Sequence, residues 1–164
     1  SLKEGKEPSL NDTLGKQTEV ELRIPALLPD DYIGDVNMRL AMYKKLANCK
    51  TNDEIDDFQI ELIDRFGLLP QSAKNLVQLA VTKLLAAALG INKIEANELG
   101  GTIDFAQETT VDAGFLIQLI QKQPRKFAFD GPSKLKFTHK TEANQQRLDF
   151  VHNLLESFTK DSYA

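Results

Sequence analysis

Tryptophan is absent from this chain, and cysteine occurs once, as Cys49. A single thiol excludes an internal disulfide and fits a reducing compartment, so the fold must rest on packing alone. Cys49 falls late in an apolar helical pattern and is expected to be a buried packing residue. His139 and His152 lie far from Cys49 and show neither the spacing of a paired-ligand helix nor that of a zinc knuckle, so no metal site is expected. Also missing are a phosphate loop, a dinucleotide fingerprint and a nucleophile elbow. No pair of carboxylates comes with a readable supporting shell, so the domain is expected to be non-enzymatic and to use no cofactor. No apolar run reaches the roughly 18 residues of a membrane span and no signal peptide is visible, which predicts a cytoplasmic protein without a membrane partner. A net charge of −4 lacks the positive excess of a protein that coats DNA phosphates, although a local basic patch is compatible with it.

What is present is ordinary for a globular domain: 164 residues, 41% hydrophobic and 27% charged. A chain of this length buries roughly two-thirds of its unfolded surface and can fold alone. Residues 1–18 scatter Lys, Glu, Gly, Pro, Ser and Asn among few apolar side chains and read as a linker, leaving 19–160 as the folded domain. A start at Ser1 without Met is expected of a piece excised from a longer chain.

The stretch that organises the rest is Ile60-Glu61-Leu62-Ile63-Asp64-Arg65-Phe66-Gly67-Leu68-Leu69-Pro70. Thr51 followed by Glu54 has the capping-box pattern, Gly67 stops the helix and Pro70 opens its successor. At about 100° per residue, Ile55, Phe58, Leu62 and Phe66 share one face, while Glu54, Asp57, Glu61 and Asp64 line another. The helix dipole accounts for Glu54 and Asp57 near the start, but Glu61 and Asp64 sit towards the end, where negative charge is unfavourable and only Arg65 is at hand. Ile60 falls off the apolar face, beside both acids. The pattern is that of a solvated face or of a small protein contact, an apolar group with flanking charges.

Around this corner, Val20-Glu21-Leu22-Arg23-Ile24 alternates as a short strand. Asp30-Asp31 before Tyr32 and Asp35 before Val36 read as helix caps, with Val36, Leu40, Tyr43 and Ala47 at helical spacing. The stretch from Pro70 to Leu89 is apolar on most sides and predicts the central helix. Residues 91–96 and 102–106 flank Gly100-Gly101 as a hairpin, and 126–129 and 134–137 flank Asp130-Gly131-Pro132-Ser133 as a second. Asp112 caps a helix that Pro124 ends, and a last helix from near Thr141 carries Leu148, Val151, Leu154, Leu155 and Phe158. The expected fold is α+β, about five helices packed on a small, mostly antiparallel sheet in a single domain. A basic strip of Lys122, Arg125, Lys126, Lys134, Lys136, His139, Lys140 and Arg147 is a candidate nucleic-acid contact, centred on Lys126, Lys134 and Lys136. Alternation puts Phe127, Phe129 and Phe137 on the opposite face, as core rather than a base-stacking platform.

The 61–70 block, together with Leu27-Leu28-Pro29-Asp30-Asp31-Tyr32-Ile33, Asn37-Met38-Arg39-Leu40, Leu89-Gly90-Ile91, Gly100-Gly101, Lys122-Gln123-Pro124 and Asp130-Gly131-Pro132, closely resembles the C-terminal domain of the bacterial transcription-repair coupling factors, the Mfd family. The resemblance runs from about Glu19 onward and implies that residues 1–18 lead from a helicase-like, ATP-dependent DNA translocase motor. It implies a parent that releases stalled RNA polymerase from damaged DNA and recruits nucleotide excision repair. In that family the C-terminal domain packs on an N-terminal UvrB-like module and masks its UvrA-binding surface, an intramolecular lock. The family's acidic contact positions fall on Glu61 and Asp64, with Ile60 and Arg65 at the contact edge. The alternative reading is an accessory DNA-contacting domain that uses the strip from Lys122 to Arg147.

Overall fold

The structure is a computed structural model that describes residues 17–162, with side chains over 17–159. The expected linker at 1–18 therefore lies outside the described residues up to position 16. Its last residue, Thr18, is buried, and its hydroxyl donates to the Ile91 carbonyl oxygen at 2.7 Å.

Chain order is β1 (Glu19–Glu21), α1 (Val36–Ala47), α2 (Asn52–Phe66), α3 (Gln71–Ala88), β2 (Ile91–Asn97), β3 (Gly100–Phe105), α4 (Ala113–Lys122), β4 (Phe127–Phe129), β5 (Lys134–Thr138) and α5 (Asn144–Ser162). These make an α+β domain of five described helices and one sheet of order β1-β2-β3-β5-β4, in which only β1 with β2 is parallel.

Apolar side chains gather in two clusters. One lies between the sheet and the helices α3, α4 and α5, around Ile94, Ile103, Leu135, Leu148, Leu155 and Phe158. The other joins α1, α2 and the first half of α3 with the 28–33 loop, around Ile33, Met42, Ile55, Phe58, Leu62 and Ala73. Helix α3 contributes to both, Val77 to the second and Ala86 to the first, which is why its sequence is apolar on most sides.

The sheet's second face is polar and solvated. Across it Glu19 stands opposite Lys93, Lys93 opposite Asp104, and Asp104 opposite Lys134, a row of alternating sign. The first hairpin turns at Glu98-Leu99, not at the glycines, which belong to β3. Gly101 is there because strands pass too close for a side chain: a Cβ would lie 2.0 Å from the Glu95 carbonyl oxygen.

Local patterns misplace several side chains. Helix α1 turns Met42 and Leu46 inward and leaves Val36, Leu40 and Ala47 exposed, since α2 and α3 cover only one side of it. Asp30 and Asp31 form a turn in which Pro29 accepts from the Tyr32 and Ile33 amides, and no helix starts there. Cys49 is half-buried, its thiol directed at the Lys45 carbonyl oxygen. Phe127 and Phe137 are core, but Phe129, expected there too, lies on the edge strand β4 and is 50% exposed.

Candidate protein-contact site

Helix α2 is fixed at both ends. At its start, Thr51 Oγ1 accepts the Glu54 amide at 3.1 Å, and the Glu54 carboxylate reaches back one residue beyond the expected partner, to the Lys50 amide at 2.5 Å. At its finish, Gly67 takes φ +95°, a conformation that a side chain would strain. The Tyr32 hydroxyl then donates to the Gly67 carbonyl oxygen at 2.7 Å and to that of Leu62 at 3.2 Å, while its ring meets Phe66 edge-on at 6.0 Å. Burial raises the Tyr32 phenol further above its ordinary value, so it remains a donor to these carbonyls. With Ile55, Phe58 and Leu62 buried, the opposite side of α2 is held towards solvent.

The sequence-predicted residues divide on this helix. Glu61 faces α1: its Oε1 accepts from Lys45 Nζ and its Oε2 from Arg65 Nη1 at 2.9 Å. Lys45 foremost, then Arg65, hold the Glu61 carboxyl below the usual carboxylate range. Arg65 also places Nη2 3.2 Å from the Met38 sulfur and leans on Phe66. Asp64 is exposed, with no hydrogen bond or ion pair among the described residues. Ile60 is 56% exposed. By helix geometry it points about 160° away from Leu62, flanked by Asp57 and Asp64.

Pattern reading missed Lys45, which no local spacing connects to Glu61. It also passed over Ile63 and Leu68, which are exposed beside the acidic stretch, Leu68 at 84%. The signal for Leu68 was available in an apolar residue placed directly after a helix-stopping glycine. Together Ile60, Ile63 and Leu68 are apolar groups among aspartates, a composition suited to contact with another protein surface.

The basic strip loses Arg147 to the interior, while Lys134 and Lys136 stay exposed on β5. Arg147 belongs to the interior: its guanidinium donates to the Leu22 carbonyl oxygen at 2.9 Å and to Thr141 Oγ1 at 3.1 Å. Lys134 stands opposite Asp104, Lys126 Nζ lies 5.0 Å from the Phe150 ring centre, and Lys136 stands outward opposite Thr102. His139 stacks on Phe150 at 4.0 Å, and burial, then Lys126, lowers its basicity.

A cleft of about 550 Å³ runs between the two clusters, lined by Tyr43, Leu46, Cys49, Leu76, Leu84 and Ile91 among others. Among the described residues, no three His, Cys, Asp or Glu side chains are grouped to hold a metal, and no helix is long and apolar enough to cross a membrane.

Comparison with known proteins identifies what this arrangement is similar to. Residues 22–116 match the family model described as TRCF domain. The transcription-repair-coupling factor of Escherichia coli (strain K12) is 46% identical over 164 residues, 100% of this chain and 14% of that protein. That of Haemophilus influenzae is 49% identical over 157 residues, 96% of this chain and again 14% of the relative. The chain thus spans about one-seventh of the length of these curated relatives. A crystal structure of the C-terminal domain of transcription-repair coupling factor superposes with a TM-score of 0.68 at 23% identity, over 89% of this chain and 97% of that one, a likeness of fold.

Proposed function

From the premise that this chain belongs to the TRCF domain family, as a C-terminal domain of transcription-repair coupling factor, we propose that it is a non-catalytic regulatory lock. In this reading it packs on the N-terminal UvrB-like module of its own polypeptide and masks that module's UvrA-binding surface. The parent acts as an ATP-dependent DNA translocase that releases stalled RNA polymerase and recruits excision repair. The contact uses the end of α2, with Ile60, Glu61, Asp64 and Arg65.

The observation that carries the reading is the exposure of Ile60 beside Asp64, which has no ion pair among the described residues, on a helix whose two ends are held by hydrogen bonds. Acidic groups around an apolar centre complement a basic surface, and such complementarity selects the partner and the register more than it adds raw affinity. A lock also has to open. Tethering supplies an effective concentration of about 1 mM, so a contact of about 10 μM in trans keeps roughly 99% of molecules closed. Loss of about 2.7 kcal/mol then makes open and closed forms equal.

The test is calorimetric titration of this chain with the isolated UvrB-like module, using wild type, Glu61→Arg and Asp64→Arg, each first shown to be folded. Micromolar binding that the reversals abolish is the expected result. Binding untouched by both reversals moves the interface elsewhere. If the wild type fails to bind the module and instead binds duplex DNA with a steep salt dependence, the role passes to Lys126, Lys134 and Lys136.

A further inference from the structure

Helix α3 carries an apolar stripe that lies where the two clusters part. Leu76, Ala80, Leu84 and Ala87 follow one another at helical spacing, so they share one side of the helix over about 17 Å. All four line the cleft described above. Leu76, Ala80 and Leu84 are only half-buried, at the edge of the second cluster, and Ala87 is exposed. Leu46 and Cys49 line the same space, and its volume of about 550 Å³ falls in the range of clefts that enclose a ligand.

The described residues start on the wall of this cleft. Gln17 and Thr18 both line it, and the bond from the Thr18 hydroxyl to the Ile91 carbonyl oxygen fixes the point from which the preceding chain departs. Leu14, three residues before Gln17, therefore lies no further than about 11 Å from that wall. The large aliphatic residues among positions 1–16 are Leu2, Leu10 and Leu14. Leu10 and Leu14 are four apart, the spacing that puts two side chains on one side of a helical turn. Ser9 with Asp12 three residues on has the pattern of a helix start, and Gly15 that of a stop. At about 100° per residue Asp12 falls opposite the two leucines, so such a turn is apolar on one side and charged on the other.

We propose that residues 9–15 dock in the cleft of their own chain, with Leu10 and Leu14 against Leu76, Ala80 and Leu84 and with Asp12 turned to solvent. The contact is independent of the lock. It makes the segment ahead of β1 a strap that closes the space between the two clusters, and it sets the direction in which the preceding polypeptide leaves the domain.

Cys49 supplies a native probe, since it is the single thiol and lines the cleft. In the 164-residue chain, Leu10→Ser/Leu14→Ser should speed alkylation of Cys49 by N-ethylmaleimide about 5–10-fold. In the wild type the amides of residues 10–14 should exchange hydrogen at least about fivefold more slowly than in an unstructured peptide, and the serine pair should abolish that protection. Ala80→Gln fills the cleft from its wall and should act alike, and adding it to the serine pair should change the Cys49 rate by less than about twofold. Thermal unfolding checks the fold of each variant. The serine pair lies ahead of the described fold, so its result stands even where Ala80→Gln fails to fold.

Wild-type amides at 10–14 that exchange at the unstructured rate overturn the docking, as does a Cys49 rate unmoved by the serine pair. Protection that persists in a folded Ala80→Gln chain puts the segment elsewhere, and protection lost on dilution assigns the cleft to a second copy. Either result overturns the intramolecular strap.

Discussion

Arg147 donates through Nη1 to the Leu22 carbonyl oxygen at 2.9 Å, a bond that spans 125 positions and ties the last helix to the residue directly after β1. The same guanidinium reaches Thr141 Oγ1 and, at 3.3 Å, the Arg23 carbonyl oxygen, and the residue is only 7% exposed. Its charge is balanced by neutral acceptors, so the geometry of the fork matters as much as the charge.

Arg147→Ala is expected to lower stability by about 2–4 kcal/mol, since it orphans buried acceptors and opens a void. Arg147→Lys should recover less than half of that, because one ammonium cannot reach Thr141 and Leu22 together. Urea unfolding measures both. A loss below about 1 kcal/mol in the alanine variant would refute a structural role.

Arg23 has φ +57°, the left-handed region, although its side chain is exposed. That conformation costs a residue with a Cβ about 1–2 kcal/mol, whereas glycine gives back about 0.5–1 kcal/mol through its freer unfolded chain. Arg23→Gly should therefore be neutral or stabilising by up to about 1 kcal/mol, read as an unchanged or raised urea midpoint.

Gly101→Ala should destabilise by about 2–3 kcal/mol, because the new methyl would meet the Glu95 carbonyl oxygen and the neighbouring Ala96. Gly131→Ala makes the matched control: nothing lies within 4 Å of its Cβ position, and only its φ of +94° resists substitution. The control should lose about 1 kcal/mol, and equal losses at the two sites would contradict the close-approach explanation.

The Glu61 carboxyl is held below its unfolded value, so its ion pairs favour the folded state once the unfolded carboxyl has ionised, above about pH 4.3. This contribution is full at neutral pH and disappears as pH falls through the folded value. Wild type should exceed Glu61→Gln by about 0.2–1 kcal/mol near pH 7, consistent with a partly exposed pair, and the two unfolding midpoints should converge on acidification. A gap that widens towards acid would reverse the sign of the argument.

Most of the fold was legible because its signals are local. Thr51, Asp35 and Asp112 each cap the helix they were expected to cap, and Gly67 ends α2 where a left-handed residue was required. Strand alternation separated Leu135 and Phe137 from Lys134 and Lys136 correctly. Where reading failed, an apolar pattern had more than one way to face: α1 offers Val36 and Leu40 as plausibly as Met42 and Leu46, and the choice belongs to α2 and α3. The glycine pair failed for a related reason, since its demand for glycine comes from neighbouring strands and not from a turn.

The sequence by itself determined the α+β class, the helix ends, the family and the acidic, isoleucine-bearing end of α2, because caps, periodicity and residue blocks are properties of neighbours along the chain. Only the tertiary structure decided that Glu61 is occupied by Lys45 and Arg65 while Asp64 has no ion pair among the described residues, that Arg147 is interior rather than part of a basic surface, and that Lys134 faces Asp104. A charge's availability depends on what lies within a few ångströms of it in space, and electrostatic partners of distant sequence position leave no periodic trace from which they could be read.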